Sequence, residues 1–266
     1  MTYKPPRRPQ FFYTTAPLPC PYVAGRTERK VVTEITGPDA EQMHDRLSRA
    51  GFRRSHNIAY APVCPGCQSC VPIRIAATDF QPDRTQRRIA RDNAALEGFE
   101  VPARATAEQF QLFQRYQHAR HSDGDMATMS FYDYRAMVED TPIETFIIEY
   151  RDPDDHLVGA CLTDRLADGL SAVYSFFAPG LERRSLGTYT ILWLIERARE
   201  MGLPYVYLGY WVPESRKMAY KARFRPSEIL AGGGWRVLTE GDLSHGAGSG
   251  QAALPQAIKL QSETAG

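Results

Sequence analysis

Cysteines carry the most pointed chemistry in this chain. Cys64, Cys67 and Cys70 recur with two residues between them in CPGCQSC, and Cys20 stands far upstream in PCP. Two-residue gaps let thiolates converge on one ion or cluster, and a distant fourth sulfur would tie the N-terminal arm to that centre. The set points to zinc or an iron–sulfur group; the plain alternative is reduced cysteines in a tight turn. A second constellation is DRTQRRIARDN, where Arg84, Arg87, Arg88 and Arg91 fall at i, i+3, i+4 and i+7. On a helix they form one stripe. Guanidinium groups so placed repel one another, and a nucleic-acid phosphate backbone relieves that repulsion. A third is SRKMAYKARFRP at 215–226, with five basic residues and no acid before Glu228. Lys217 and Lys221 are its candidates for contact with RNA. For both basic stretches the bland reading is a solvated helix face.

Single residues add to these clusters. Arg74 alternates with Ile73 and Ile75 in VPIRI, so it projects from the opposite face of a strand. That suits it to grip a substrate carboxylate. VYSFFAP and YVYLGYW supply aromatic residues whose hydroxyls can position an ester or whose rings can stack on an adenine. Tyr174, Ser175 and Tyr210 are the candidate catalytic groups, with backbone N–H groups near 175–177 for a developing oxyanion. No Ser-His-Asp or Cys-His pattern demands a covalent intermediate. His118 and His121 form an H-x-x-H pair with no third ligand in view, which fits a helix end.

These groups need elements to hold them. The first 30 residues are Pro-rich and irregular. Strands are expected at 31–36, 56–61 and 70–77, with a helix between Pro38 and Gly51. Helices follow at 83–96, from the Thr106/Gln109 capping-box pair to about 118, and at 131–139. The second half is β-rich: strands at 143–150, 156–166 and 170–177, a helix over 186–201 with one apolar face, and a strand at 204–211. A helix from Pro213 to about Phe224 and strands at 227–231 and 235–239 complete it. The chain divides into a Cys/Arg-rich lobe (1–105), a second domain (106–240) and a Gly/Ser/Ala-rich flexible tail (241–266).

With 266 residues, 43% of them hydrophobic, there is chain enough for one large core or two modest ones. No apolar run reaches the roughly 18 to 20 residues that span a bilayer. The basic N-terminus lacks the apolar core of a secretory signal. A cytoplasmic location follows, where cysteines stay reduced or bind metal. Net charge is +1 and names no partner, but basic runs lie apart from acids such as DPDD at 152–155, which creates a positive face.

The loop before the 186–201 helix resembles the Arg/Gln-x-x-Gly-x-Gly/Ala loop of GNAT acetyltransferases, filled here by Arg184, Gly187 and then Tyr189. The order β-β-β-α-β-α-β suits the same fold: α+β, a GNAT-like mixed sheet flanked by helices, with a smaller N-terminal α+β lobe. In that fold two parallel strands splay and leave a slot for an acyl donor and an amine. Tyr189 where a second small residue is expected argues against a cradled pyrophosphate. A CoA-dependent N-acetyltransferase is one alternative, and a non-catalytic tRNA- or metal-binding module is another.

Longer strings decide among these. CPYVAGRTERKV, GFRRSHNIAYAPVCPGCQSCVPIRI, FQPDRTQRRIARDN, YSFFAPGLERRSLGTYTILWLIERA and GLPYVYLGYWVPESRKMAYKARFRPSEIL together resemble the bacterial aspartate/glutamate leucyltransferases, relatives of the arginyl-tRNA–protein transferases. The resemblance covers nearly all of the chain except the tail. It implies transfer of leucine from Leu-tRNA to proteins with an N-terminal Asp or Glu, which marks them for proteolysis as N-degrons. The residues themselves leave arginine open as the transferred group. No cofactor is implied for transfer. The eukaryotic branch links its cysteines, at another spacing, to metal or iron–sulfur binding. With an aminoacyl ester as donor no pyrophosphate needs holding, so Tyr189 is tolerated and free to press on the terminal adenosine. Arg74, Arg184, Gly187 and Tyr189 are then substrate-binding candidates. Arg84, Arg87, Arg88, Arg91, Lys217 and Lys221 are the tRNA-binding ones. No membrane partner is expected, and oligomeric state has no legible signal.

Overall fold

The computed structural model describes residues 9–122 and 124–245. Most of the expected flexible tail, from 246 on, lies outside the described residues. In chain order the elements are β1 (Tyr13–Thr14), β2 (Leu18–Pro19), β3 (Thr27–Glu28), β4 (Lys30–Glu34), α1 (Ala40–Arg49), β5 (Arg53–Ser55), β6 (Ile58–Pro62) and β7 (Val71–Ala76). Then come α2 (Arg84–Asp92), β8 (Glu97–Pro102), α3 (Ala107–Arg120), α4 (Phe131–Glu139), β9 (Thr145–Arg151), β10 (Leu157–Leu166) and β11 (Gly169–Phe177). The last are α5 (Leu186–Glu200), β12 (Tyr205–Trp211), β13 (Ser227–Ala231), β14 (Gly234–Val237) and α6 (Glu240–His245).

Eight strands form one mixed sheet in the order β14-β13-β7-β12-β11-β10-β9-β8. Every neighbouring pair is antiparallel except β11 and β12. Its middle strands read as near-continuous apolar runs because helices cover both faces. On β9, Ile147 packs with Leu112, Phe113 and Tyr134 of α3 and α4, while its neighbour Ile148 packs with Leu194 and Ile195 of α5. Adjacent strand residues point to opposite faces, so α3 and α4 lie on one side of the sheet and α5 on the other. A separate four-stranded sheet, β1-β4-β6-β5, closes its own core with Leu47 of α1 and Phe52.

Helix starts follow local chemistry. Asp83 with Gln86, Thr106 with Gln109 and Ser130 with Asp133 each form reciprocal capping boxes. Two expectations are corrected. The expected helix over 213–224 is only a 3-10 turn at Ala219–Arg223. Ser215, Lys221, Ala222 and Phe224 are all buried, and no single helical face presents positions so spaced. The expected helix over 83–96 stops at Asp92, and β8 follows as a sheet edge. Only Gly98 and Val101 of this strand are even half-buried, so it carries little apolar alternation and periodicity missed it. The division at residue 105 is a proposal from pattern; the eight-stranded sheet itself takes β7 and β8 from one side of that position and six strands from the other.

Candidate active site at the parting of two parallel strands

Strands β11 and β12 pair at three positions only: Gly169 with Tyr205, Leu170 with Val206 and Ser171 with Tyr207. Irregularities on both strands turn them apart. On β11 the register against β10 slips at Val173, since Leu162 faces Tyr174 and Thr163 faces Ala172. On β12 it slips at Leu208 against β7, and Gly209 follows with φ 76°. Bulges of this kind bend a strand and release its backbone groups.

Arg53 of β5 fills the apex of that parting. Its Nη2 donates to the carbonyls of Ala172 (2.8 Å) and Val173 (3.1 Å). Gly209 makes room for it: a Cβ there would stand 2.7 Å from Arg53 Nε. Beside it, Lys221 is buried and donates to the carbonyl of Tyr210 at 2.8 Å. Burial first, then Arg53, lowers the Lys221 amine to about 7, with Cys70 opposing. Tyr220, next in the chain, is pushed up to about 12 by burial, and then by Tyr116 and Cys161. The 3-10 turn at Ala219–Arg223 thus lies beside the open end of β12.

The mouth of the slot is aromatic and basic. Phe177 ends β11, Tyr116 meets it edge-on at 4.9 Å, and the Arg120 guanidinium lies 5.2 Å from its ring centre. Gly187 on the first turn of α5 lets Phe177 approach, where a Cβ would be 3.4 Å from the ring. Lys217 Nζ stands 3.4 Å from His121 Nδ1. Burial, and after it Lys217 and Arg120, holds the His121 imidazole below its usual range.

The arginine stripe leads toward this mouth. Arg84, Arg87, Arg88 and Arg91 are all exposed on α2, and among the described residues none makes an ion pair. Asn93, fully buried where α2 ends, donates to the carbonyls of Ile89 (2.9 Å) and Arg184 (2.8 Å). That amide fastens the stripe to the 182–184 turn preceding α5, so Arg184 continues the same basic surface.

Several other expected site residues have their polar groups engaged within the protein. Tyr174 borders the slot, but its hydroxyl accepts from Gln117 at 2.6 Å and its ring packs on Phe113. Ser175 pairs with Cys161 across the ladder, beyond the bulge. Tyr210 is buried, and its hydroxyl points to the carbonyls of Gly51 (3.0 Å) and Tyr60 (3.3 Å). Tyr189 is also a core residue: it stacks edge-on against Tyr150 and aims its hydroxyl at the carbonyl of Leu96. Lys221 is buried at the slot and not on the outer basic face, because the expected helix is absent. Arg74 is saturated. Glu228 takes Nε (2.8 Å) and Nη2 (2.7 Å), Tyr207 accepts from Nη1 (2.9 Å), and Tyr205 and Trp235 lie 3.5 and 4.4 Å from the guanidinium carbon. Arg53, Arg120 and Gln117 were not singled out as site residues. The adjacent basic pair RR at 53–54 was the available signal, but it gave no hint of which arginine meets an acid.

Cys20, Cys64, Cys67 and Cys70 line one cavity together with Tyr22, Arg26, Tyr60 and Tyr210. Hydrogen-bond donors converge on the sulfurs: Arg26 Nη1 on Cys67 (3.0 Å), and the backbone N–H groups of Val23 on Cys20 and Arg29 on Cys64 (each 3.4 Å). Burial would raise the Cys67 thiol, but Ser69 and Arg26 outweigh it and bring it below its usual value. Cys70 is pushed up to about 12 by burial, and then by the other three sulfurs. Four donors that repel as thiolates suit a cationic centre. Among the described residues, the one group of three such ligand atoms within 4.8 Å of one another is Asp152, Asp154 and His156 in the β9–β10 turn. The sulfurs therefore stand wider than the roughly 3.8 Å separation that a lone tetrahedral zinc requires.

Family models described as arginine-tRNA-protein transferase match the chain in two parts, the N terminus over residues 18–88 and the C terminus over residues 108–231. The chain is 66% identical over 258 residues to an aspartate/glutamate leucyltransferase of Gluconacetobacter diazotrophicus, spanning 97% of this chain and 99% of that one. It is 69% identical over 240 residues to another from Granulibacter bethesdensis, 90% of each. A solved structure of similar outline is the C-terminal domain of a protein described as a lysylphosphatidylglycerol synthetase from Agrobacterium fabrum. It has 14% identity, covers 84% of this chain and 74% of that one, and has a TM-score of 0.46.

Proposed function

The chain belongs to the arginine-tRNA-protein transferase family and, within it, to the aspartate/glutamate leucyltransferases; from that premise we propose that it moves leucine from Leu-tRNA onto cytoplasmic proteins whose first residue is Asp or Glu, making them N-degrons. The observation that supports this most directly is the parting of β11 and β12 after Ser171 and Tyr207, with a basic rim leading into it. The likeness to a GNAT-type slot rests on the same feature.

In the reaction the acceptor's α-amine attacks the ester carbonyl, the new C–N bond forms and the ribose oxygen leaves. The ammonium gives up one proton before attack, and a second passes from the attacking nitrogen to the leaving oxygen. An α-amine has a reference pKa of roughly 7.7 to 8.0, so a useful fraction is unprotonated at neutral pH. An ester is already an activated acyl group. Orientation is therefore the larger part of catalysis. In this reading the backbone N–H groups of β11 beyond the Val173 bulge, around Ser175, stabilise the oxyanion. Tyr174, held by Gln117, and Phe177 shape the wall against which the ester lies. Arg84, Arg87, Arg88, Arg91, Arg184 and Lys217 carry tRNA phosphates, and Gly187 seats Phe177 against the first turn of α5.

Cys20, Cys64, Cys67 and Cys70 would hold a zinc or iron–sulfur group, their wide spacing favouring the latter. Bound there, it would supply a cross-link between the N-terminal arm and the segment leading into β7. No step of the transfer needs it.

The test is transfer to peptides starting with Asp, Glu, Lys or Arg, from a mixed pool of charged tRNAs, read by mass spectrometry. Leucine appearing on the Asp and Glu peptides alone is the expected result. Arginine in place of leucine, or acetyl transfer from acetyl-CoA, would replace this reading.

A further inference from the structure

Buried positive charge in proteins is normally matched by an acid, because an unpaired ion away from water is costly. Among the described residues the chain follows that rule at two of three buried lysines and arginines: Arg54 faces Asp164 and Arg74 faces Glu228. Among the described residues Lys221 faces no carboxylate, and it donates to the carbonyl of Tyr210. Arg53 stands close enough to lower the Lys221 amine further, and among the described residues it too makes no ion pair. Its Nη2 is held by two carbonyls, which fixes the guanidinium while leaving Nε and Nη1 without a hydrogen-bond partner among the described residues. Two basic groups thus converge, with no carboxylate between them among the described residues, at the place where β11 and β12 part.

We propose that Arg53 and Lys221 form the subsite that binds the side-chain carboxylate of the acceptor's first residue. This rests on the transfer reading above and adds to it the groups that select Asp and Glu. The argument is one of reach. In an N-terminal Asp or Glu the attacking amine and the carboxylate are joined by one short side chain. The cation that reads the carboxylate must therefore lie at the strand parting itself, where the amine meets the ester. Arg53 lies there, bound to the carbonyls of Ala172 and Val173. Arg74, the more obvious candidate in sequence, is held by Glu228 and Tyr207 and packed against the rings of Tyr205 and Trp235. Gly209 supports the assignment, because any side chain there would displace Arg53. A carboxylate between the two cations also relieves their mutual repulsion, and an Asn or Gln side chain of the same shape does not.

The experiment uses the full chain, Leu-tRNA and matched peptides that begin with Asp or Asn. Two readouts are taken: steady-state transfer, and equilibrium binding of each peptide by fluorescence anisotropy without tRNA. Charge-assisted hydrogen bonds contribute about 1.5 to 3 kcal/mol, so Arg53→Gln should raise KM for the Asp peptide by about 10- to 100-fold. KM for Leu-tRNA should stay unchanged, and the preference for Asp over Asn should collapse. Arg53→Lys should recover part of it, and Lys221→Met should shift it in the same direction by less. Preserved Asp-over-Asn preference in both Arg53→Gln and Lys221→Met would overturn the proposal. So would an equal rise in KM for Leu-tRNA, which would mark the pair as an RNA phosphate site. Circular dichroism checks folding; if Arg53→Gln does not fold, Arg53→Lys and Lys221→Met decide. Wild-type protein that transfers no leucine would defeat the transfer reading, while its selective binding of the Asp peptide, lost in the variants, would still support the subsite. Equal binding of both peptides by the wild type would overturn the subsite.

Discussion

Arg54 and Asp164 stand 110 residues apart in the chain and meet in a buried bidentate pair, Nε to Oδ2 at 2.7 Å and Nη2 to Oδ1 at 2.6 Å. The Thr145 hydroxyl donates to the same carboxylate at 2.9 Å, and Arg54 Nη1 donates to the carbonyl of His56 at 2.7 Å. This pair bolts β5 to β10 and so fixes the strand from which the neighbouring Arg53 enters the slot. Arg54→Ala would strip the buried Asp164 carboxylate of its guanidinium partner. It should cost about 3 to 5 kcal/mol in urea denaturation. The double change Arg54→Met with Asp164→Leu should recover most of that loss, since neither partner is then stranded. A loss below about 1 kcal/mol for Arg54→Ala would mean that water reaches the pair.

His44 gives the same junction a pH dependence. Its Nε2 lies 3.6 Å from Asp164 Oδ2. Burial lowers the imidazole from 6.5 to about 4, with Asp164 opposing and Arg54 reinforcing. Between those values the unfolded chain holds the extra proton, so acid favours unfolding. The stabilisation is complete above pH 6.5 and is lost as pH falls through about 4, an effect on the order of 3 kcal/mol. Urea midpoints measured from pH 7.5 to 4.5 should fall steeply in the wild type and less steeply in His44→Gln. Parallel slopes for the two proteins would remove His44 as the cause.

Much of the frame was legible because its signals are local. The capping pairs at Thr106 and Ser130, the apolar face of α5 and the apolar run of β10 each follow from neighbours in sequence. The site was less legible, because what a cation does depends on which acid folds against it. RR at 53–54 reads as two equivalent charges, yet Arg54 meets Asp164 and Arg53 meets two carbonyls. VPIRI puts Arg74 opposite its apolar neighbours as expected, but Glu228, 154 residues on, was already its partner. Tyr189 follows the helical phase of α5 into the core, which the loop pattern alone did not reveal. The turn over 213–224 misled because its basic residues suit a helix while its buried ones fit no single face.

The stripe on α2 should behave as a phosphate contact surface. All four arginines are exposed and without an ion pair among the described residues, so their removal leaves no stranded partner. Arg87→Ala with Arg88→Ala should therefore leave the melting temperature nearly unchanged while weakening tRNA binding. Each phosphate contact contributes about one unit to the slope of log affinity against log salt. The double variant should flatten that slope by about two. Affinity curves that superimpose on the wild type across salt would assign the stripe to solvent.

The cysteine cavity makes its own prediction, separate from catalysis. Each sulfur that ionises raises the cost for the next, as the upward push on Cys70 from Cys20, Cys64 and Cys67 indicates. A bound cation reverses that cost, and its binding free energy then adds to folding. Cys20 joins the group from the N-terminal arm, whereas the other three sit just before β7. Protein purified without oxygen or chelator should carry iron or zinc, seen by elemental analysis, and Cys20→Ser should lose most of it. A loss of about 2 kcal/mol would lower Tm by roughly 4 to 8 °C in a chain of this size. The transfer rate below that temperature should change little, because no step of the transfer uses a sulfur and the hydroxyl of Tyr210, which lines the cavity, is spent on Gly51 and Tyr60. A variant with full metal content and wild-type Tm would show that Cys20 is not a ligand. A variant that keeps its Tm but loses transfer would move the cysteines from scaffold to mechanism.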